Sequence, residues 1–275
     1  MTAFFSEALA RRLLADELCA VSVVEETGST NDDLKEMARL QAPRVPVLLV
    51  AHEQRAPRGT KGRAWIPPES GLYFSVALPL PRLCGLSAVA VGLAVTDASR
   101  AFGLDVGLKW PNDIWVAGGK AGGILCEAVQ DNAGRWTLVA GIGCNLSIGA
   151  KHAVMQTTSG WPIQDFRSAG GALLQTDEAA RTAFVAACTR HIVERVRSLS
   201  NERANAVIRE DWAKADAFFG QVVHWCDGIH SDIRIGIDRG IDDEGRLMME
   251  PIGPDASKRR KDWLCLSGEL CSLRR

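Results

Sequence analysis

Between residues 106 and 145 the chain reads as four short strands in close succession, and this run limits the fold more than any other feature. Candidate strands lie around 106–109, 114–116, 122–129 and 136–142. Ala117-Gly-Gly119 and Asp131-Asn-Ala-Gly134 lie between the later ones, and both sequences suit hairpin turns. Strands joined this tightly pair antiparallel, because a parallel pair needs a long crossover. Two more apolar runs, 47–51 and 71–80, read as strands that can join the same sheet.

Helical spacing surrounds this sheet. Phe5, Ala8, Leu9 and Leu13 predict an opening amphipathic helix, followed by a short strand over 21–25. Ser29 or Thr30 can cap a second helix, with Asp32 and Asp33 in its first turn and Pro43 beyond its end. A largely apolar helix is predicted over 86–102, a long one over 177–199, and a continuation over 202–212. Residues 145–175 carry no clear period and read as an irregular surface excursion. After about residue 218 short strands alternate with Gly- and Asp-bearing turns. The expected architecture is therefore α+β: a mixed sheet with helices against one face over 1–217, then a small all-β domain, an SH3-like barrel, over 218–275. That second unit is too small to bury much core by itself, so it must dock on the first.

Charge and cysteine usage narrow the function classes. With 32 basic and 33 acidic residues the formal net charge is −1, so no global field draws the chain to nucleic acid or an anionic membrane. No stretch reaches the ~20 apolar residues of a membrane span, and no secretion signal is evident at the front. The eight cysteines form no C-x-x-C pair and read as reduced, mostly buried small hydrophobes. The expected setting is cytoplasmic, without membrane or DNA as a partner.

Four segments could carry chemistry. Arg55-Ala-Pro-Arg-Gly-Thr-Lys-Gly-Arg63, followed by Trp65, offers cations and backbone N–H groups for a phosphate, or is a solvated basic turn. It is not a P-loop, since G-x-x-x-x-G-K-[ST] is absent. Lys109-Trp-Pro-Asn-Asp113 is either a turn or an aromatic wall beside two polar groups able to read a base or bind a metal ion. In Lys120-Ala-Gly-Gly-Ile-Leu-Cys-Glu127 and Gly141-Ile-Gly-Cys-Asn145, glycines within strands mark places where another group approaches the backbone closely.

Taken in order and spacing, these segments resemble the biotin protein ligases. The likeness rests on Ser29-Thr-Asn31, the Arg/Gly loop ending in Trp65, Lys109-Trp-Pro-Asn-Asp113, Lys120-x-Gly-Gly-Ile-Leu-x-Glu127 and Gly141-x-Gly-x-Asn145. The tail from Gly268 to Arg274 is similar to that family's closing strand. The resemblance spans about residues 20–275. It implies an ATP-dependent ligase that forms biotinyl-5'-AMP and transfers biotin to a lysine of a biotin carboxyl carrier protein. Carried over by position, it implies that Ser29, Thr30, Asn31, Gln54, Gly123, Gly141 and Gly143 bind biotin. Lys120, Arg58 and Arg63 would act on the reacting anions. Lys61, Trp65, Asn112, Asp113, Asn145 and Arg274 would bind ATP, with Asp113 also a ligand of Mg2+. The front of the chain is too short before the matching pattern for a helix-turn-helix, so the ligase-only form, monomer or homodimer, is expected.

The chain departs from the family in its loop, where Gly-Arg-Gly-Arg-Arg-Gly-Arg is usual. Here Pro57 stands for a glycine, Thr60 for an arginine and Lys61 for another arginine. Lysine keeps charge but not a bidentate fork, and threonine keeps neither. Two other readings stay open: a lipoate or octanoate transferase of the same fold, and a non-catalytic biotin- or nucleotide-binding paralogue.

Overall fold

The computed structural model describes residues 4–62, 65, 68, 70–149, 155–199, 202–227, 233–252, 263–265 and 268–272, with Lys61 and Glu202 by backbone alone. The predicted meander is present. Strands β4 (Gly107–Lys109), β5 (Asp113–Val116), β6 (Gly119–Gln130) and β7 (Trp136–Ser147) pair antiparallel in sequence order. β3 (Ser70–Leu80) adds to β7, and β2 (Val47–Gln54) to β3. β1 (Ala20–Thr27) then closes the seven-stranded sheet by pairing parallel with β2. That single parallel pair requires a crossover, and helix α2 (Thr30–Leu40) supplies it.

The crossover corrects one expectation. Helices cover both faces of the sheet. Leu48, Val50, Phe74, Val76, Leu138, Ala140 and Ile142 belong to the large core, with α3 (Ser87–Ala101) and the helix Glu178–Ser198. Leu49, Ala77 and Val139, one residue out of phase, pack instead with Leu34 of α2. Side chains alternate between faces along a strand, so α2 lies on the opposite side. It covers only part of that side. The rest is open, and the candidate site residues collect there.

The remaining elements follow the sequence with small shifts. α1 is Glu7–Leu13, capped by Ser6 through a 3.2 Å bond from the Leu9 N–H. The short helix Ala172–Thr176 is α4, and the long helix Glu178–Ser198 is α5, with Asp177 accepting from the Ala180 N–H. α6 runs Glu202–Ala215. Among the described residues no helix is long and apolar enough to cross a membrane. All eight cysteines are free, but only Cys144, Cys188 and Cys265 are fully buried, fewer than composition suggested.

The small unit is a five-stranded antiparallel sheet in the order β11-β10-β9-β8-β12. Its strands are Val222–Cys226, Arg234–Ile241, Leu247–Pro251, Trp263–Cys265 and Glu269–Cys271, numbered β8 to β12 in chain order. As its size demands, it docks on the first sheet. Trp115, Trp161 and Phe218 meet edge to edge with centroids 5.2 to 5.3 Å apart. Trp110, fully buried, donates its indole N–H to the Gly245 carbonyl at 3.1 Å. Trp110 is thus an anchor between the units, not the wall of a base site.

Two buried carboxyls sit beside this junction. Asp216 accepts from the Trp212 indole and the Phe218 N–H, each at 2.9 Å. Asp238 accepts from the Gly240 N–H at 2.7 Å through one oxygen, and its other oxygen has no partner among the described residues. Burial pushes Asp216 up to about 6 and, with the charge of Asp216 added, pushes Asp238 up to about 7. A carboxyl raised in the folded state contributes stability below its unfolded pKa and loses it as pH rises through the folded value. Urea unfolding should therefore show greater stability at pH 5 than at pH 7.5, by roughly 1–3 kcal/mol. Asp238→Asn should narrow that difference; an unchanged difference would refute the assignment.

Candidate functional site

The open part of the sheet face forms one cavity of about 400 Å³. Its floor is made of glycines. Gly123 of β6 lies directly across from Gly143 of β7, and Gly141 lies across from Leu125. None of the three projects a side chain into the space, so other groups come down onto the backbone. The Trp65 ring does so: a Cβ on Gly123 would sit 3.0 Å from it, and one on Gly143 3.8 Å. At Gly141 a Cβ would fall 2.3 Å from Asn31 Oδ1. Gly122 faces the other way, where a Cβ would lie 2.6 Å from the Gly143 carbonyl oxygen.

At one end of the floor the start of α2 meets β2 and β3. Ser29 is the N-cap residue, yet its hydroxyl bonds no helix amide, contrary to the expected cap, and it is buried at the cavity wall. The Thr30 N–H donates to Gln54 Oε1 at 2.8 Å, and the Thr30 hydroxyl lies 2.7 Å from that of Ser75. Ser75 donates to Asn31 Oδ1 at 2.8 Å. Asn31 donates in turn to the Leu125 carbonyl at 3.1 Å and to Glu127 at 3.0 Å. Every polar atom of the Asn31 amide is therefore engaged by protein. Asn31 supports the wall through both of its N–H donors, and its oxygen keeps one lone pair beyond the bond from Ser75.

Charge dominates the other end. Asp113, buried at the start of β5, accepts from Lys109 at 2.7 Å through one oxygen, and its other oxygen lies 2.5 Å from Lys120. Burial would raise this carboxyl, but the two ammonium groups outweigh it and hold Asp113 below the usual carboxylate range. Lys109 is fully buried and Lys120 reaches the cavity, 5.3 Å from the centroid of the Trp65 ring. Two cations against one carboxylate leave a local excess of positive charge beside the glycine floor. With an ammonium group on each oxygen, Asp113 is a poor fit for Mg2+, since those cations would repel a third. Among the described residues no group of three or more His, Cys, Asp or Glu could hold a metal ion.

The turn Pro111–Asn112 is fastened to β6: Asn112 donates to the Ile124 carbonyl and accepts from the Ile124 N–H, each at 2.9 Å. Asn145, at the end of β7, donates to the Gln164 carbonyl at 2.9 Å, and its buried Oδ1 has no partner among the described residues. The Trp65 indole N–H also lacks one. An unpaired buried acceptor and donor in one cavity are the groups a polar ligand would satisfy. Arg58 stands at the rim, its Nε 2.9 Å from Asp32. Arg63, Arg274 and the Lys61 side chain, all expected at the site, lie outside the described residues.

Sequence reasoning missed several lining residues. Tyr73 and Ser75 alternate along β3 onto the open face, a period-2 signal that was there to be used. Burial pushes the Tyr73 hydroxyl up to about 12, so it stays a neutral donor. The segment expected as a surface excursion also takes part. The Lys120 N–H donates to the Pro162 carbonyl at 2.9 Å, and the Gln164 N–H donates back to the Lys120 carbonyl at 2.8 Å. Met155 and Thr157 line the cavity, with Glu269 of β12 at its edge. No periodicity announces such a segment, because its attachment to β6 is made through backbone.

The glycine spacing yields a prediction. Gly122→Ala would press a methyl group on the Gly143 backbone, which cannot swing aside, and should cost about 1–3 kcal/mol in a denaturant titration. Gly134→Ala, at a turn with open space but positive φ, should cost only about 1 kcal/mol. Equal losses at both positions would contradict this account of the floor.

Comparison with known proteins bears on the family and the fold. Residues 23–146 match the biotin/lipoate A/B protein ligase family. A relative from Mycobacterium tuberculosis, named biotin–[acetyl-CoA-carboxylase] ligase, is 31% identical over 241 residues, covering 84% of this chain and 83% of its own. The bifunctional ligase/repressor BirA of Escherichia coli is 30% identical over 241 residues, covering 85% of this chain and 70% of its own. In structure, a biotin protein ligase from Aquifex aeolicus, solved with biotin and ATP, superposes with a TM-score of 0.67 at 23% identity. It covers 93% of this chain and 99% of its own, and it supports the fold.

Proposed function

The chain belongs to the biotin/lipoate A/B protein ligase family, and on that premise we propose that it is an ATP-dependent biotin–protein ligase. The observation that carries the reading is the cavity's polarity: hydrogen-bonding groups at one end, a surplus of lysine charge at the other, and a glycine floor partly covered by Trp65 between. Biotin has the matching layout, with a ring bearing N–H and C=O groups, an apolar chain, and a carboxylate. Lipoate and octanoate present no N–H or C=O group to this polar end of the cavity, which disfavours that alternative.

In this reading Ser29, Thr30 and Gln54 hold the ureido ring, together with the backbone around Gly123, Gly141 and Gly143. A carboxylate oxygen of biotin attacks the α-phosphorus of ATP; a new O–P bond forms as the bond to pyrophosphate breaks. Both reactants are anions, so their approach costs Coulomb energy. Lys120 offsets it, with Lys109 and Asp113 fixing the position of the Lys120 ammonium. Trp65 stacks on the adenine, and Asn112 and Asn145 hold the nucleotide. Arg58, Arg63, Lys61 and Arg274 close on the phosphates. The second step passes the biotinyl group to a lysine amine of a biotin carboxyl carrier protein domain and releases AMP. The units 1–217 and 218–275 act as catalytic and accessory domains.

Two outcomes test this. Lys120→Ala should remove about 2–4 kcal/mol of transition-state stabilisation, read as a loss of biotin-dependent pyrophosphate exchange in a folded protein. Near-normal exchange would refute the role of Lys120, and exchange with lipoate or octanoate in preference to biotin would refute the substrate. Thr60 concerns retention. An arginine fork makes two charge-assisted bonds to a phosphate where threonine makes at most one neutral bond. Thr60→Arg should therefore slow release of preloaded biotinyl-5'-AMP by roughly 1–3 kcal/mol; release at the wild-type rate or faster would refute this.

A further inference from the structure

The chain of hydrogen bonds behind the reading end has a direction, set by two acceptors, the Glu127 carboxylate and the Leu125 carbonyl. Glu127 is an acceptor only, and so is the Leu125 carbonyl, so the Asn31 side chain must turn its NH2 group toward both, at 3.0 and 3.1 Å. Asn31 Oδ1 then faces Ser75 and takes the hydroxyl proton of that residue at 2.8 Å. Ser75 has no second proton. In its 2.7 Å contact with Thr30 it can only accept, so the Thr30 proton is committed to Ser75. The 3.3 Å approach of Thr30 Oγ1 to Gln54 Oε1 therefore carries no proton; Gln54 Oε1 is served by the Thr30 N–H at 2.8 Å. Lys35, itself buried, keeps the far oxygen of Glu127 engaged at 2.7 Å.

We propose that Glu127 is a positioning residue for ligand choice: through Asn31 and Ser75 it leaves Thr30 Oγ1 a fixed acceptor, so the pocket selects a ring that presents an N–H there. The proposal rests on the biotin reading above and adds to it a residue that helps set the hydrogen-bond polarity. A hydroxyl free to rotate would serve an N–H or an oxygen equally well. A hydroxyl with its proton held behind it rejects a ring oxygen, because two lone pairs would then face each other in a buried site.

The test uses the full chain, pyrophosphate exchange, and two biotin analogues in which one or the other ring N–H is replaced by oxygen. The wild type should disfavour at least one of the analogues by about 50-fold in kcat/KM. In Ser75→Ala that preference should fall to about fivefold or less, as Thr30 regains its proton. In Glu127→Gln, where Lys35 claims the amide oxygen and sets an NH2 group against that of Asn31, it should fall in the same direction. Glu127→Gln should raise KM for biotin while KM for ATP stays within about twofold, a split that general damage to the fold would not give. A preference unchanged in either folded variant would overturn the proposal. So would a wild type that accepts both analogues within about threefold of biotin, a result that needs no variant to fold. Absence of exchange with biotin itself would overturn the ligase reading instead.

Discussion

A buried carboxylate shared by two lysines organises this molecule. Lys109, Asp113 and Lys120 come from β4, β5 and β6, so the ion cluster ties together three strands at one end of the sheet. Removing charges from water is costly unless they are closely paired and hydrogen-bonded. Here one cation is paired at 2.7 Å in full burial and the other reaches the cavity. The turn 110–113 cannot shift without exposing that cluster, and it is further fastened to β6 through Asn112. The positive surplus that would draw a substrate anion is thus part of the frame of the sheet.

The opposite end of the cavity works by neutral hydrogen bonds backed by a second ion group. Asp32 and Glu127 flank Lys35, and Asp32 also meets Arg58 at the rim. The parallel crossover through α2 makes this possible. It carries residues 29–35 from the end of β1 across the face to reach β3 and β6. Local turn chemistry alone could not have brought Thr30 to Ser75, 45 positions away.

Much of this was legible in the sequence where the information is local. The hairpins of the meander were announced by their glycines, the long helices by their spacing, and the cavity floor by glycines placed inside strands. Legibility failed where several residues compete for one role. Asn31 stands beside Ser29 and Thr30 in the same tripeptide, yet both of its N–H donors are spent behind the wall. Trp110 stands beside Asn112 and points into the junction with the small sheet. Asp113 was expected to meet a metal ion, because a carboxylate in a sequence does not reveal that two lysines will close on it. Residues 155–165 were unreadable for another reason: they join β6 through carbonyls and N–H groups, which every sequence has.

The glycine floor also constrains how such a pocket can change over generations. Gly122 and Gly141 are hemmed in by the Gly143 carbonyl and by the Asn31 amide, so the smallest side chain at either position collides with its neighbour. Single substitutions there have no shallow path to a new shape. The rim is built otherwise, from Trp65, Met155 and Thr157 on irregular backbone outside the sheet. Descendants of this chain that acquire a different ligand would be expected to have redrawn the rim while inheriting the floor unaltered.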